Sequence, residues 1–259
     1  MPRSSGATRP RRHARAAGRR SRPAFEAVKC GWGPFGRGTL QDDVDHLHAA
    51  REGQAGGHPA RRCRRHLRRG RRGGCGCLPA LEAVNATWYE EPVAGMAYEA
   101  YAAIGARSSK VRLAGGEAAH NFAMARHTID YGKVGYVQID CGRIGGIGPA
   151  KAVAEHAVAR GITYVNHTFT SNLALSASLQ PFAGLENHRI CEFPVHTRPV
   201  AKAFCATRIE PGADGLIHVP DAPGLGVAID PEGIREYLQD VEIRVNGQTL
   251  YRTPDPLAG

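Results

Sequence analysis

Tyr136-Val137-Gln138-Ile139-Asp140 is the stretch that decides the fold, because it is a short apolar strand that ends in a carboxylate and enters a Gly-rich turn. Four other strand-like segments also run into a polar or Gly-rich turn that carries an ionisable residue. The five residues are 27, 23, 27 and 25 positions apart: Glu90, Glu117, Asp140, His167 and Glu192. A strand, a helix and two loops take roughly 25 to 35 residues in a (β/α)₈ barrel, whose strands all end on one face. The spacing therefore predicts a metal and proton-transfer site around one mouth.

The segments between these residues have the apolar spacing of helices. Apolar residues recur every three or four positions over residues 96–104, 118–131, 149–159 and 171–183. Pro149 and Ser171 suit the first turn or the cap of their helices. Alternating strands and helices with right-handed crossovers give a parallel sheet, and the strands lack strict polar alternation, as strands buried on both faces do. We therefore predict an α/β fold of the barrel type.

The composition divides the chain into two parts. The formal net charge of +10 arises entirely in the first third: residues 1–78 hold 19 Lys and Arg against 5 Asp and Glu, whereas residues 79–259 hold 15 against 19. The arginine runs in residues 1–23 and 54–77 lie among Gly, Ala, His and Cys, with almost no aliphatic periodicity. Such segments cannot bury enough apolar surface to fold alone, so we predict that both are disordered.

Three explanations of the basic segments are open. Arginine-rich chains attract nucleic acid through its phosphates, but no aromatic interleaving or recognised binding module accompanies these runs, so nucleic acid is not an expected partner. A mitochondrial presequence is also Arg-rich and acid-poor, although this stretch is Gly-rich and only weakly amphipathic. We favour out-of-frame translation of a GC-rich gene or an equivalent gene-model error, which yields the same mixture of Arg, Gly, Ala, Pro and Cys.

Residues 24–53, between the two basic segments, are balanced in charge and well patterned. They predict an early βα unit, with a strand that ends in Lys29 and a helix over residues 39–52. Lys29 precedes Glu90 by 61 positions, which is about two βα periods. One strand end is therefore missing within the second basic segment. The barrel pattern resumes over residues 78–259, whose end is expected to return toward a capping domain.

Six motifs, in this order, resemble the enolase superfamily in its mandelate racemase and muconate lactonizing enzyme branch. They are Trp88-Tyr89-Glu90-Glu91-Pro92, Leu113-Ala114-Gly115-Gly116-Glu117, Val137-Gln138-Ile139-Asp140 with Arg143-Ile144-Gly145-Gly146, Asn166-His167, Cys191-Glu192 and Pro223-Gly224-Leu225-Gly226. None of them is specific alone, so their order and spacing carry the resemblance, over residues 25–53 and 78–237. The resemblance implies a (β/α)₇β barrel, here partial, whose N-terminal capping domain is largely absent.

The resemblance also implies a divalent cation, usually Mg²⁺, which is held by three carboxylates and binds the carboxylate of a small-molecule substrate. Glu90 and Glu117 match two of the metal ligands, and hard oxygen ligands suit this ion. The third ligand, an aspartate on the preceding strand, has no counterpart in the chain. We therefore expect weak Mg²⁺ binding and low or undetectable turnover from this polypeptide.

Four further residues match catalytic positions of the family. Asp140 would hydrogen-bond His167, which orients the imidazole and raises its basicity, so that the pair acts as one acid and base. Glu192 would hydrogen-bond the substrate carboxylate or enolate, and Lys29 would favour the negative charge that develops there. A lone carboxylate is more often a solvated loop residue or a helix cap, and only the periodic series outweighs that alternative.

A departure from the family pattern narrows the reaction. Racemases of the branch commonly carry a second lysine two residues after the first, and here Gly31 stands at that position after Lys29. With a single His-Asp pair, one group has to abstract the α-proton and then protonate the departing β-hydroxyl. We therefore predict a Mg²⁺-dependent hydro-lyase, a dehydratase of a sugar acid such as an aldonate or aldarate. A racemase or epimerase of the same superfamily and a catalytically inactive remnant are the alternatives.

Cysteine usage and hydropathy bear on the compartment. Seven scattered cysteines without a signal peptide fit a reducing cytoplasm rather than a disulfide framework. Cys75 and Cys77 lack a second pair, so they are not assigned to a metal site. No apolar run reaches 18 residues, so we expect no membrane span. Relatives in the family are usually even-numbered homo-oligomers, which is the expected assembly of an intact protein.

Overall fold

The computed structural model describes most of the chain after the first basic segment. The described residues are 25, 27–31, 35–36, 38–52, 62–64 (backbone alone), 76–186 and 188–254. The predicted disorder of residues 1–23 lies outside these residues, as does that of residues 54–61 and 65–75.

Eight strands and nine α-helices are found in the described residues. The strands are β1 Lys29–Cys30, β2 Arg62–Arg64, β3 Trp88–Glu90, β4 Arg112–Gly115, β5 Tyr136–Ile139, β6 Thr163–Asn166, β7 Glu242–Val245 and β8 Gln248–Arg252. The helices are α1 Leu40–Glu52, α2 Leu78–Ala83, α3 Tyr98–Gly105, α4 Phe122–Asp130, α5 Cys141–Ile144, α6 Ile147–Ala159, α7 Asn172–Leu179, α8 Pro199–Ala203 and α9 Pro231–Ile234. Two 3₁₀ turns follow α7 and α9, at Gln180–Phe182 and Arg235–Tyr237.

A six-stranded parallel sheet forms the centre of the fold. Its strands lie in chain order from β1 to β6, and every neighbouring pair is parallel. A parallel pair needs a crossover connection, and at least one helix lies between each two consecutive strands from β1 to β6. The predicted α/β fold with a parallel sheet is therefore confirmed, whereas closure into a partial barrel stays a prediction.

Alternate residues of the strands are buried on the two faces of the sheet. Tyr89, Leu113 and Val137 belong to the main core cluster, which also holds the buried residues of the helices. Trp88 and Ala114, one position away, belong to a second cluster on the other face. Because both faces are buried, the strands show no polar alternation in sequence.

Capping residues explain where three of the helices begin. Asn121 precedes α4 and accepts a hydrogen bond from Met124 N, and Ser171 precedes α7 and accepts one from Ala174 N. The side chain of Asp140 caps α5 in the same way. Each cap satisfies a helix N–H that has no partner within the helix. The predicted helices are present. α1, α3 and α6 lie within two residues of their predicted bounds, whereas α4 begins four residues later and α7 ends four residues earlier than predicted.

The structure departs from the predicted disorder of residues 54–77 at one point. Arg62–Arg64 forms strand β2, which pairs in parallel with β1 on one side and with β3 on the other. The position that the pattern left without a strand is thus filled by a short basic segment, because a backbone ladder needs no particular side chain. Arg64 is the register partner of Glu90.

A second departure concerns the last predicted strand. Residues 188–194 have no regular secondary structure, so Glu192 is carried by an extended loop and not by a strand. The described part of the chain after this loop contains α8, α9 and the antiparallel hairpin of β7 and β8. No described helix is long and apolar enough to span a membrane. The five cysteines whose side chains are described are free: Cys30, Cys77, Cys141, Cys191 and Cys205.

Candidate active site

The predicted site residues form two contact groups at the ends of the strands. One group is centred on His167, which follows β6, and contains Asp140 and Glu117. The other is centred on Lys29 in β1 and contains Glu90 and Glu192. Each of the six predicted residues thus contacts at least one other member of the set.

His167 lies between two carboxylates. Its Nδ1 is 2.8 Å from Asp140 Oδ2, and its Nε2 is 3.2 Å from Glu117 Oε2. The side chain is almost fully buried, at 2% exposure of the residue. A ring nitrogen donates to a carboxylate only when it carries a proton, so both contacts are hydrogen bonds together only in the imidazolium form. The predicted Asp140–His167 contact is present, and the catalytic role of the pair stays a prediction.

Asp140 is fixed by the backbone as well as by His167. Its Oδ1 accepts hydrogen bonds from Gly142 N at 2.9 Å and Arg143 N at 3.1 Å, at the start of α5. Burial alone raises the pKa of Asp140, but the hydrogen bond and charge of His167, with those of Arg143, outweigh it and lower the pKa below the usual value. The carboxylate is therefore ionised at neutral pH and oriented toward the imidazole.

Arg143 is a member of this group that was not singled out as a site residue from the sequence. Its guanidinium donates to the Oε1 and the backbone oxygen of Glu117, at 3.1 and 3.2 Å, and lies over the Phe169 ring. Glu117 follows Gly116, whose φ of 116° suits glycine and whose added Cβ would lie 3.0 Å from Gln138 O. The glycine and the arginine together set the position of Glu117.

The second group is an ion-paired lysine. Lys29 Nζ is 3.0 Å from Glu90 Oε1 and 2.7 Å from Glu192 Oε2. Glu90 is fully buried, and its Oε2 also accepts hydrogen bonds from Gln138 Nε2 at 2.9 Å and Trp88 Nε1 at 3.2 Å. An ammonium that pairs with two carboxylates can neutralise negative charge but has no free electron pair to accept a proton. Lys29 therefore suits electrostatic stabilisation rather than proton abstraction.

Asn166 holds the Glu192 loop in place of a strand. The side-chain amide accepts a hydrogen bond from Glu192 N at 2.8 Å and donates to Glu192 O at 3.1 Å, and it also donates to Ser178 Oγ. His188 contributes a second such contact, because its Nδ1 accepts from Tyr164 N. The loop thus docks on the edge of β6 through side chains and not through a backbone ladder.

We expect Asn166→Asp to lower the free energy of unfolding by about 3 kcal/mol, because it buries a charge and removes the amide donor to Glu192 O. Urea unfolding measures the change. Asn172→Asp is the matched control, since Asn172 only accepts a bond, from Ile209 N, and aspartate retains the acceptor. Equal effects of the two substitutions would contradict the role of Asn166.

Charge and ligand count decide how a metal would fit. Carboxylates outnumber the permanent cations of the described site: Glu90, Glu117, Asp140 and Glu192 against Lys29 and Arg143. The excess negative charge and the hard oxygen donors of Glu90 and Glu117 fit a divalent cation such as Mg²⁺. Within the described residues, however, no group of three or more His, Cys, Asp or Glu could hold a metal ion. The carboxylates of Glu90 and Glu117 are ligands of the kind that Mg²⁺ prefers, but they are two of the three carboxylates that the family resemblance implies.

Two further residues lie beside the site. Burial raises the pKa of the Cys141 thiol to about 12, with the charge of Asp140 adding to the effect, and Sγ donates to Ala177 O. The thiol is therefore neutral and unsuited to nucleophilic chemistry. Glu91 is buried beside Glu90, and its backbone N–H donates to Ala114 O.

The comparisons with known proteins agree with this fold. A sequence model of the family described as Enolase C-terminal domain-like matches residues 11–233. The solved structure of a predicted mandelate racemase from Rhodobacter sphaeroides is 51% identical, with a TM-score of 0.87, and the match covers 95% of this chain and 63% of that chain. A solved structure of an L-talarate/galactarate dehydratase variant, liganded with Mg and L-glucarate, has a TM-score of 0.70 at 22% identity and covers 82% of this chain and 50% of that chain.

Among curated proteins, D-galactarolactone cycloisomerase of Agrobacterium fabrum is 28% identical over 158 residues, which are 58% of this chain and 41% of the relative. The chain thus spans less than half the length of this relative. Because the family match covers most of the chain, and the fold and the order of the motifs agree with it, the chain belongs to the enolase C-terminal domain-like family, in the mandelate racemase and muconate lactonizing enzyme branch that its motifs predicted.

Proposed function

We propose that this chain carries the site of a Mg²⁺-dependent dehydratase, a hydro-lyase that acts on a sugar acid such as an aldonate or aldarate. The observation that carries the proposal is the buried His167, which is hydrogen-bonded to an ionised Asp140 beside the ion-paired Lys29 group. This arrangement can take a proton from carbon and return it to an oxygen on the same molecule. The name of the dehydratase that shares the fold agrees with this chemistry.

His167 Nε2 is the proposed base. It gives up its contact with Glu117 and abstracts the α-proton of the substrate. The electron pair of the C–H bond moves toward the substrate carboxylate. Asp140 keeps the imidazolium oriented through Nδ1 and stabilises its charge. The imidazolium then protonates the β-hydroxyl, the C–O bond breaks, and water leaves. The enol that remains becomes a 2-keto-3-deoxy acid.

Glu90 and Glu117 are the residues that would hold Mg²⁺. When bound, the ion supplies positive charge beside the substrate carboxylate, which lowers the free energy of the negative charge that develops there. Lys29 adds a fixed positive charge on the other side of Glu90. Glu192, which Asn166 positions and which pairs with Lys29, would lie beside the substrate carboxylate or enolate.

A cycloisomerase is the second candidate, because the curated relative from Agrobacterium fabrum carries that name. A racemase or epimerase is less well supported, since Gly31 has no side chain with which to place a second base near Lys29. A catalytically inactive remnant remains the third alternative, since the donor set is one carboxylate short.

The test is a panel of aldonic acids, aldaric acids and their lactones, incubated with the chain and saturating Mg²⁺ in deuterium oxide. A dehydratase produces a 2-keto acid and incorporates deuterium at the carbon next to it. A racemase instead inverts the α-carbon while it incorporates deuterium, and a cycloisomerase opens or closes a ring without loss of water, so that its product is an isomer of its substrate. Because weak Mg²⁺ binding predicts low turnover, the panel is repeated with the Arg64→Asp variant, which adds a carboxylate at the register position beside Glu90. Absence of both exchange and product from every acid with both proteins would contradict catalysis of this class.

A further inference from the structure

A cavity of about 790 Å³ lies at the end of the sheet opposite to the proposed active site. It is lined by Arg112, the first residue of β4, and by Lys133, three residues before β5. The cavity therefore lies where these strands begin, whereas the residues of the proposed active site follow the ends of β4, β5 and β6. Buried side chains form an apolar part of the lining: Leu113, Ile129 and Val134.

Positive charge exceeds negative charge in the lining of this cavity. Three cations, Arg112, Lys133 and Arg160, stand against one carboxylate, that of Asp130. Asp130 Oδ1 is already 3.3 Å from Arg160 Nε and 3.1 Å from His156 Nε2. Within the described residues, neither Arg112 nor Lys133 has a carboxylate partner. A bound anion would offset the repulsion between these cations.

The side chain of Arg112 is held in place at the edge of the cavity. Its guanidinium carbon lies 5.3 Å from the centroid of the Tyr136 ring. The side chain also crosses Gly135, where an added Cβ would overlap with it. Gly135 is not among the glycines with left-handed backbone, so the close approach of Arg112 is the reason for a glycine here. The guanidinium is thus preorganised, and its planar fork matches the oxygens of a phosphate group.

Lys133 occupies a backbone conformation that lysine rarely adopts. Its φ is 53°, in the left-handed region, where glycine and asparagine are the usual residues. Two of the other described non-glycine residues in this region are asparagines, Asn85 and Asn246. A lysine costs stability at such a position, so its charge calls for an explanation.

We propose that this cavity binds a small organic phosphate monoester. The phosphate accepts hydrogen bonds from Arg112 and Lys133, and the organic part packs on the apolar lining. A phosphate dianion can neutralise both cations with one group, whereas a single carboxylate neutralises only one of them. The inference does not rest on the proposed function, because none of these residues belongs to the Lys29 or the His167 group.

Calorimetric titration of the full chain with phenyl phosphate tests the proposal, with inorganic phosphate and benzoate as comparison ligands. We expect phenyl phosphate to bind most tightly, since inorganic phosphate lacks the apolar part and benzoate carries one negative charge. Lys133→Asn should weaken phenyl phosphate binding by about tenfold, the effect of one charge-assisted hydrogen bond. The thermal midpoint of the ligand-free variant should equal or exceed that of the unaltered chain, because asparagine tolerates left-handed backbone better.

Lys110→Asn is the matched control, since Lys110 is also exposed and close to Arg112 in sequence but does not line the cavity. It should leave phenyl phosphate binding unchanged. The arginine runs of residues 1–23 also attract phosphate, so the deciding measurement is the loss of binding in Lys133→Asn. The proposal is overturned by unchanged binding or a lower midpoint in Lys133→Asn, or by an equal loss of binding in Lys110→Asn. Absence of saturable phenyl phosphate binding, or equal affinity for either comparison ligand, overturns it as well.

Discussion

His167→Asn is expected to abolish exchange of the substrate's α-hydrogen with solvent deuterium. General-base catalysis contributes about 10²–10⁴-fold, and His167 Nε2 is the proposed base. Asparagine keeps a polar side chain near Asp140 but has no basic nitrogen. Gly31 cannot supply a replacement base, and Lys29 is held as an ion-paired ammonium. The measurement is deuterium incorporation, followed by NMR, with saturating Mg²⁺ and the best acid of the panel.

The chain offers a matched control for this substitution. His218 also pairs with an aspartate, Asp214, at 2.9 Å, but this pair is exposed to solvent and lies outside the site. His218→Asn should therefore leave the exchange rate unchanged. Exchange that survives in His167→Asn would remove the single-base mechanism, and an equal loss in both variants would assign the effect to general stability.

The strand ends of the parallel sheet could be predicted from sequence because their cause is local. The strands from β3 to β6 are short, mainly apolar runs that stop at a polar or glycine residue, as in Gln138-Ile139-Asp140, and both properties are visible within ten residues. The carboxyl ends of parallel strands lie on one side of the sheet, so residues that recur at strand ends along the sequence come close together in space. For the same reason the spacing placed Asp140 and His167, 27 positions apart, at one mouth, whereas their hydrogen bond was implied by the resemblance to the family.

The support of Glu192 could not be predicted in this way. Its apolar run favoured a strand, whereas the structure satisfies its backbone with the amide of Asn166, which is 26 residues away. Whether a backbone group bonds to a ladder or to a side chain depends on three-dimensional proximity, which no local pattern encodes. Arg143 was missed similarly, because its sequence motif explains a turn and a helix and says nothing of Glu117.

Strand β2 shows a different limit of pattern recognition. Arg62–Arg64 has no apolar pattern, yet its backbone takes the place between β1 and β3. The sheet requires a strand there, since neighbours on both sides otherwise lose hydrogen bonds. The sheet topology therefore requires a strand at this place but does not determine which residues form it. For this reason the spacing predicted that one strand was missing from the pattern and did not predict its sequence.

Arg64→Asp is expected to tighten Mg²⁺ binding by at least about tenfold, because it places a carboxylate at the register position beside Glu90 and removes a positive charge. Even loss of a group that only supports a metal ligand costs about 10–100-fold in affinity, so gain of a ligand should be no smaller. Calorimetric titration with MgCl₂ measures the change, and the unaltered chain should bind weakly.

Arg64→Asn separates the two contributions, since it removes the charge without adding a carboxylate. If loss of charge alone caused the gain, both variants would bind Mg²⁺ equally, and the third-ligand hypothesis would fail. If only Arg64→Asp binds Mg²⁺ tightly, the site of the unaltered chain lacks one carboxylate ligand besides Glu90 and Glu117. The deuterium exchange that depends on His167 should then rise with Mg²⁺ affinity, because the metal and the base act on the same carboxylate substrate.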